Sequence, residues 1–128
     1  MAINGYFNQE GRPAFPIGIY GHSIKWLVPV DVVFDTGFTG FLDLPLVYCL
    51  KAGLVLASTT QYTLADGSTS VTLLCYGTIL MGKDSFVGLV SISHGKHALL
   101  GMEFLKKSGL KLEVDRGKDL VQLNKPIA

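Results

Sequence analysis

Short runs of apolar and β-branched residues, separated by glycine-rich or polar turns, occupy most of the chain. Valine, isoleucine, threonine and aromatic residues favour strands, and Gly, Asn, Asp and Pro mark their ends. The regular spacing of these runs predicts a mainly β fold of the barrel or sandwich type. The runs, after a short strand or arm at residues 1–8, are residues 15–20, 24–34, 41–44, 54–57, 59–64, 69–76, 77–81, 86–92, 110–114 and 120–123.

Two segments interrupt the strand pattern with the end signals of short helices. Pro45 precedes the apolar residues 46–52, which end at Gly53, and residues 102–107 end at Gly109. Proline is favoured at the start of a helix and glycine just past its end. Both segments continue into a strand, which suggests one strand-turn-helix unit used twice. Chance similarity between two six-residue stretches is the competing explanation.

Asp66-Gly67 is the clearest hairpin signal, because it lies between two runs of strand-forming residues. A second hairpin is predicted across the turn at residues 20–23, and a third across residues 82–85. The terminal strands are predicted to meet across a turn at residues 115–118.

Composition indicates one compact domain, residues 1–128. The chain is 48% hydrophobic and 16% charged, contains 15 glycines, and has no Pro/Ser-rich or charge-rich break. A chain of this length can bury one core. Its charged fraction is below the usual value of about a quarter, which suggests that part of the surface is covered in an oligomer.

Charge and hydropathy disfavour nucleic-acid and membrane partners. Eleven Lys+Arg and ten Asp+Glu give a formal charge of +1, with no basic tract to mark a phosphate-binding face. No apolar run approaches the roughly 18 residues that cross a membrane, and the first ten residues lack the pattern of a signal peptide. We therefore expect a cytoplasmic protein.

The cysteines and histidines give no strong sign of a metal or redox site. Cys49 and Cys75 are expected to be free, buried thiols, since a chain without an export signal keeps its cysteines reduced more often; a disulfide between them is the alternative. His94 and His97 lie close in sequence, but no further ligand stands at metal-binding spacing, so a loop is favoured. No metal and no cofactor are expected.

The strongest candidate for chemistry is Asp35, which ends an apolar strand and leads directly into a turn containing Gly37 and Gly40. Glycine permits the tight backbone that ends a strand abruptly. A general acid or base must be held within hydrogen-bond reach of its proton, and a rigid strand end holds it well. Asp35 is therefore the predicted functional acid.

Other acids compete poorly with Asp35. Asp31 and Asp43 lie between apolar neighbours in predicted strands, where the period of two places them on the solvent side. Asp66 is explained as a turn former. No Gly-x-Ser-x-Gly elbow is present, so a serine hydrolase is disfavoured.

Residues 34–37, Phe-Asp-Thr-Gly, resemble the catalytic Asp-Thr/Ser-Gly loop of aspartic proteases. A single copy in a chain of 128 residues is similar to the retroviral-type proteases (retropepsins), which pair as homodimers, and not to the longer pepsin-like enzymes with two copies. The run Asp-Thr-Gly-Phe-Thr-Gly before an apolar strand and Leu-Pro resembles small prokaryotic retropepsin-like proteins. The resemblance also covers the flap-tip residues Ala65, Asp66 and Gly67, and a second apolar-apolar-glycine signature at Leu99, Leu100 and Gly101 with its following helix.

This resemblance implies a closed barrel with a flap hairpin and one or two short helices, active as a homodimer. It implies a cofactor-free aspartic endopeptidase in which the Asp35 carboxyls of two subunits share a proton and activate water. Thr36 would bond across the dyad, Gly37 would offer backbone groups to a peptide or protein substrate, and Phe38 would lie in the cleft. A noncatalytic peptide-binding or dimerisation module on the same fold is the alternative.

Three positions depart from the retroviral pattern. Phe38 stands in place of a small residue, while Thr39 and Met102 stand in place of an acid and an arginine that pair in retroviral enzymes. Both members of the ion pair are missing together, which predicts a different packing at this point, and Phe38 is expected to narrow the cleft. The sequence leaves open whether residues 1–7 and 120–123 interleave across a dimer as in retroviral enzymes.

Overall fold

A computed structural model describes residues 2–21, 27–93 and 95–126. The predicted turn residues His22 and Ser23, the first three residues of the strand predicted at 24–34, and His94 lie outside these ranges. Within them, no helix is long and apolar enough to cross a membrane. The elements are β1 (Ala2–Asn4), β2 (Tyr6–Phe7), β3 (Pro13–Tyr20), β4 (Val28–Phe34), β5 (Leu42–Pro45), α1 (Leu46–Ala52), β6 (Val55–Thr63), β7 (Thr69–Met81), β8 (Asp84–Ser93), β9 (Ala98–Leu100), α2 (Met102–Ser108), β10 (Lys111–Asp115) and β11 (Leu120–Asn124).

Six strands close into a barrel in the order β3, β4, β9, β5, β8, β7. Pairing of β3 with β7, from Gly18 opposite Leu80 to Tyr20 opposite Thr78, completes the ring. Strand β2 pairs with β3 outside the ring, and β6 pairs with β7 as a long antiparallel hairpin. The predicted mainly β fold with a closed barrel, a long hairpin and two short helices is confirmed.

The barrel interior is filled by the apolar residues that alternate along its strands. Phe15 and Ile19 of β3, Val32 of β4, Leu42 of β5 and Leu100 of β9 are fully buried. Each lies on the inward side of its strand, as the period of two requires. The sequence pattern therefore decides which face of each strand points into the core.

Strands β4 and β5 are consecutive along the chain but are not neighbours in the sheet. Strand β9 lies between them, parallel to β4 and antiparallel to β5. The connection from β4 to β5, residues 35–41, must therefore cross the end of β9. This crossing brings the Asp35 loop against the residues that follow β9.

Two predicted strand breaks are absent. Residues 69–81 form one strand, because Gly77 is a site of close packing and not a turn: a Cβ there would lie 2.8 Å from a Val90 methyl carbon. Residues 55–63 also form one strand, with a register shift between Leu56 and Ser58 where the sequence suggested a gap.

Both predicted helices are present, and each ends at a glycine in the left-handed conformation. Gly53 has φ of 66° and Gly109 has φ of 69°, values that favour glycine over residues with a Cβ. Cys49 of α1 and Cys75 of β7 are buried free thiols, which confirms the prediction for both. The order strand, helix, left-handed glycine, strand thus occurs twice, in β5-α1-β6 and in β9-α2-β10.

The terminal strands pair within the chain. Strand β11 lies between β1 and β10 and is antiparallel to both, with Asn124 opposite Ala2 on one side and opposite Lys111 on the other. Because both edges of β11 are occupied, a strand from another subunit cannot pair with it in this arrangement. The free edges of this three-stranded sheet belong to β1 and β10.

Candidate active site

Asp35 is held by backbone hydrogen bonds on both sides. Its N–H donates to the Leu100 carbonyl at 2.9 Å, and its own carbonyl accepts from the Phe38 N–H at 3.0 Å. The first bond continues the parallel pairing of β4 with β9, and the second closes the turn. The structure thus brings the predicted acid against the second predicted signature, Leu99, Leu100 and Gly101.

The carboxylate of Asp35 has one restrained oxygen and one more open oxygen. Oδ1 accepts a hydrogen bond from the Gly37 N–H at 2.8 Å, and a Cβ at Gly37 would lie 3.2 Å from this oxygen. Oδ2 lies 3.9 Å from Nη2 of Arg12, and 32% of the Asp35 side chain is exposed. The carboxylate is therefore oriented by its own loop while part of it remains accessible to another group.

Sequence reasoning missed Arg12 as a neighbour of Asp35. Strands β3 and β4 pair with Ala14 opposite Val33, and extending this antiparallel register by two residues places Arg12 opposite Asp35. The pairing register was the missing information, because two residues so far apart in sequence show no local pattern that links them.

The tip of the loop points away from its own chain. Thr36 and Gly37 are exposed, and among the described residues no hydrogen bond of the Thr36 side chain is present. A hydroxyl in this position is available to a group outside the chain.

Gly101 allows the loop and helix α2 to meet backbone to backbone. A Cβ at this position would collide with the carbonyl oxygen of Gly40 and with the ring of Phe38. The Met102 N–H donates to the Phe38 carbonyl at 2.9 Å, and the Glu103 N–H is 3.1 Å from the Gly40 carbonyl oxygen. Backbone hydrogen bonds therefore join the two segments where an ion pair would join them in the retroviral pattern.

Phe38 packs against the glycines of the two signatures. Its side chain is half-buried, and its ring lies 2.6 Å from where a Cβ at Gly40 would stand and 2.5 Å from where one at Gly101 would stand. An aromatic ring fits here only because both neighbours lack side chains. Phe38 stands where the retroviral pattern has a small residue. Its ring and the two glycines therefore form one packing unit.

A cavity of about 940 Å³ begins at Phe38 and continues beside the loop. Asp43 lies in it half-buried, on the side of β5 opposite the buried Leu42 and Leu44, and its Oδ1 accepts a hydrogen bond from Ser91 Oγ. Asp43 therefore lies on the outer side of its strand as expected, where this cavity partly covers it, and Asp31 is exposed as expected. Neither Asp35 nor the tip of the β6–β7 hairpin lines this cavity. The lining residues are Phe38, Thr39, Gly40, Phe41, Leu42, Asp43, Thr60, Thr72, Leu74, Leu89, Ser91, Ile92, Ser93, Glu103 and Lys107.

The predicted flap tip is a tight hairpin turn separate from the Asp35 loop. Asp66 Oδ1 accepts hydrogen bonds from the Ser68 hydroxyl at 2.6 Å and the Ser68 N–H at 2.9 Å, and these bonds lower the pKa of Asp66. Gly67 has φ of 87°. Ala65, Asp66 and Gly67 are exposed. Asp66 therefore forms the turn, as predicted.

The β6–β7 hairpin extends beyond the barrel. Strand β8 pairs with β7 only from Leu74 to Met81, so residues 59–63 and 69–73 pair along the strands only with each other. Most of these residues are exposed. A hairpin exposed over most of its length in a single chain has a free surface with which to cover another group.

The fold is similar to that of three solved proteases. EIAV protease complexed with the inhibitor HBY-793 gives a TM-score of 0.63 at 20% identity, over 84% of this chain and 98% of that chain. A retropepsin-like aspartic protease from Rickettsia conorii gives 0.58 at 21% identity, over 100% of this chain and 92% of that chain. Simian foamy virus (mac) protease gives 0.52 at 14% identity, over 71% and 91%.

No protein-family model and no curated protein matches the sequence. The likeness therefore comes from the arrangement of strands and not from overall sequence identity. It agrees with the closed six-stranded barrel. The chain has the fold of the retropepsin-like aspartic proteases.

Proposed function

We propose that the protein is an aspartic endopeptidase that hydrolyses peptide bonds with two Asp35 carboxyls, one from each subunit of a homodimer. The observation that carries this proposal is the position of Asp35. It stands at a rigid strand end of a retropepsin fold, with one carboxylate oxygen held by the Gly37 N–H and the side chain 32% exposed. This is the arrangement that a carboxylate needs to meet both a water molecule and a second carboxyl.

In the proposed reaction, two neighbouring carboxyls share one proton, because like charges in contact cannot both ionise. The ionised carboxylate takes a proton from water, and the protonated one donates a hydrogen bond to the substrate carbonyl. The water oxygen bonds to the carbonyl carbon and forms a tetrahedral intermediate. The C–N bond then breaks, a proton passes to the leaving amine, and the shared proton is restored.

A two-fold axis beside the Asp35 loop supplies the second carboxyl in this proposal. The exposed loop tip, with the free hydroxyl of Thr36, supports an isologous contact in which each loop meets its copy. The exposed β6–β7 hairpin supports a covering role over an extended peptide. The Thr36 hydroxyl would then bond to the partner loop, and the Gly37 backbone would contact the substrate.

Replacement of the acid by its amide tests the proposal. Asp35→Asn keeps an oxygen that can accept from the Gly37 N–H, so the loop keeps its conformation while the dyad loses its ionisable groups. We expect cleavage of a peptide library, followed by mass spectrometry, to fall at least about 100-fold. Asp31→Asn, which changes an exposed acid of the same strand, is the matched control and should cleave like the unmodified protein.

The assay must be run where sedimentation confirms a dimer. Equal cleavage by Asp35→Asn and the unmodified protein would contradict the proposal. Absence of cleavage by a confirmed dimer that still binds peptides would favour the alternative, a noncatalytic peptide-binding module on the same fold.

A further inference from the structure

We propose that the cavity beside the Asp35 loop binds a peptide side chain with an apolar stem and a cationic end, that is, lysine or arginine. The inference rests on the proposed function, since the cavity would then select the peptides that reach Asp35. Residues 38–43, which directly follow the Asp-Thr-Gly loop, all line it. A residue near the cleaved bond of an extended substrate can therefore place its side chain there.

Apolar residues of the loop and of two strands form much of the cavity wall. Phe38 belongs to the loop, Leu74 to β7, and Leu89 and Ile92 to β8. Leu89 is 40% exposed in the single chain, so a ligand entering the cavity would cover apolar surface that the fold leaves open. Such a wall favours the methylene stem of a long side chain.

Two acids and one base give the cavity a formal charge of −1. Asp43 lies half-buried on β5 and accepts a hydrogen bond from Ser91, while Glu103 and Lys107 belong to the first and last turns of α2. Neither acid forms an ion pair with any cation that the structure describes. A carboxylate among apolar walls attracts a cation more strongly than one in open water. The complementary ligand is therefore cationic.

Lys107 is the one base among the described residues that line the cavity, and the competing possibility is that the cavity binds an anionic ligand through it. Lys107 is exposed on α2, whereas Asp43 is half-buried on β5 and Glu103 is half-buried. The two acids are therefore less exposed to water than the base. This gradient places the cationic end of a ligand inward, against Asp43.

The test uses small probes that need neither catalysis nor a dimer. The uniformly ¹⁵N-labelled protein is titrated with n-butylguanidinium, n-pentanol and pentanoate, which share a short apolar stem and differ in charge. We expect n-butylguanidinium to give saturable shifts at the amides of residues 42–43 and 89–92. Its affinity should exceed that of n-pentanol and pentanoate by about tenfold, the size expected for one charged hydrogen bond.

Variants identify the acid responsible. Asp43→Asn, which keeps an acceptor for Ser91, should lower the affinity for n-butylguanidinium about tenfold and leave the affinity for n-pentanol unchanged. Glu103→Gln is the second variant and should lower the affinity for n-butylguanidinium less. Asp31→Asn is the control. Tighter binding of pentanoate, shifts outside the cavity, or a Kd unaffected by Asp43→Asn would overturn the proposal.

Cleavage data separate this proposal from the proposed function. If the protein cleaves peptides, lysine and arginine should be enriched at one position near the cleaved bond, and Asp43→Asn should abolish that enrichment without abolishing cleavage. If nothing is cleaved but the probe binds through Asp43, the proposed function fails and the cation site stands. Cleavage with no such enrichment contradicts the cation site alone.

Discussion

At the scale of single residues, Gly101 lies where the Asp35 loop and the start of α2 touch. The three backbone hydrogen bonds from Met102 and Glu103 to the loop carbonyls run 2.9–3.2 Å, and Phe38 covers the contact from the side. No side chain fits between the two segments. The position of Asp35 therefore depends on Gly101, which lies 66 residues later in the chain.

Gly101→Ala should destabilise the protein. The new Cβ would collide with the Gly40 carbonyl oxygen, which the backbone fixes, and with the Phe38 ring. We expect the free energy of unfolding in urea to fall by about 1–3 kcal/mol, the usual cost of overpacking. Gly117→Ala is the control: its Cβ would meet only a side-chain oxygen of Asp115 at 3.3 Å. Equal stability of both variants would contradict the packing argument.

Cys49 is expected to react slowly in the folded protein. Burial, with smaller contributions from the neighbouring Cys75 and the charge of Asp43, raises the pKa of Cys49 to about 11. Because the thiolate is the reactive form, alkylation by iodoacetamide at pH 8, followed by mass spectrometry, should be much slower at Cys49 than in the urea-unfolded chain.

The same shift affects stability at alkaline pH. The thiol of Cys49 has a pKa of 9.0 in the unfolded chain and of about 11 in the folded protein. Between these values the folded state binds more protons, so the contribution of Cys49 to stability is present below pH 9 and is lost as the pH rises to 11. Cys49→Ser should reduce this pH dependence, measured by urea unfolding at pH 8 and pH 10.5. Identical slopes for both proteins would contradict the assignment.

At the scale of elements, the β6–β7 hairpin differs from the barrel strands in its pairing. Beyond Leu74, no third strand in the described part of the chain pairs with it, and its residues are largely exposed. Strand β4, in contrast, is paired on both sides at Val32 and Val33, and its pairing with β9 continues to Phe34. Segments with few buried contacts open at lower free energy than core strands.

Hydrogen exchange should therefore distinguish the hairpin from the barrel. We expect amides of residues 59–63 and 69–73 to exchange faster than those of residues 32–34. Mass spectrometry measures this exchange at a protein concentration that keeps the chain monomeric. Under conditions that favour a dimer, the hairpin amides should become more protected, because the proposed partner and substrate lie beneath it. Equal protection of hairpin and barrel in the monomer would contradict this.

At the scale of the whole molecule, the terminal sheet bears on how two copies can associate. Because β11 pairs with β1 and β10 of its own chain, the proposed dimer cannot gain area by interleaving strands at β11. The contacts that support the proposed dimer are the Asp35 loops and the β6–β7 hairpins, and the free edges of the terminal sheet are those of β1 and β10. Smaller interfaces give weaker and more readily reversible association.

Association should therefore depend on concentration. Sedimentation velocity should show a species near 13.8 kDa at low concentration and a shift towards twice that mass as concentration rises. Cleavage activity per chain should rise over the same range, because each site needs two chains. Peptide cleavage by a protein that stays monomeric at every concentration would contradict the two-chain site.

Local chemistry made several features predictable from the sequence alone. Strand alternation, the helix ends at Gly53 and Gly109, the turn at Asp66-Gly67 and the place of Asp35 after an apolar strand all depend on neighbours along the chain, so periodicity and turn chemistry identify them. The resemblance of residues 34–37 to a protease loop depends on the same short stretch. These features needed no knowledge of which strands meet.

Only the tertiary structure decided which distant residues share the site. The insertion of β9 between β4 and β5 sets Gly101 against the loop, the register of β3 on β4 sets Arg12 beside Asp35, and the pairing of β5 with β8 turns Asp43 into a cavity residue bonded to Ser91. Strand β11 likewise finds β1 at the opposite end of the chain. Pairing between distant strands depends on the packing of the whole barrel, and no local pattern encodes it.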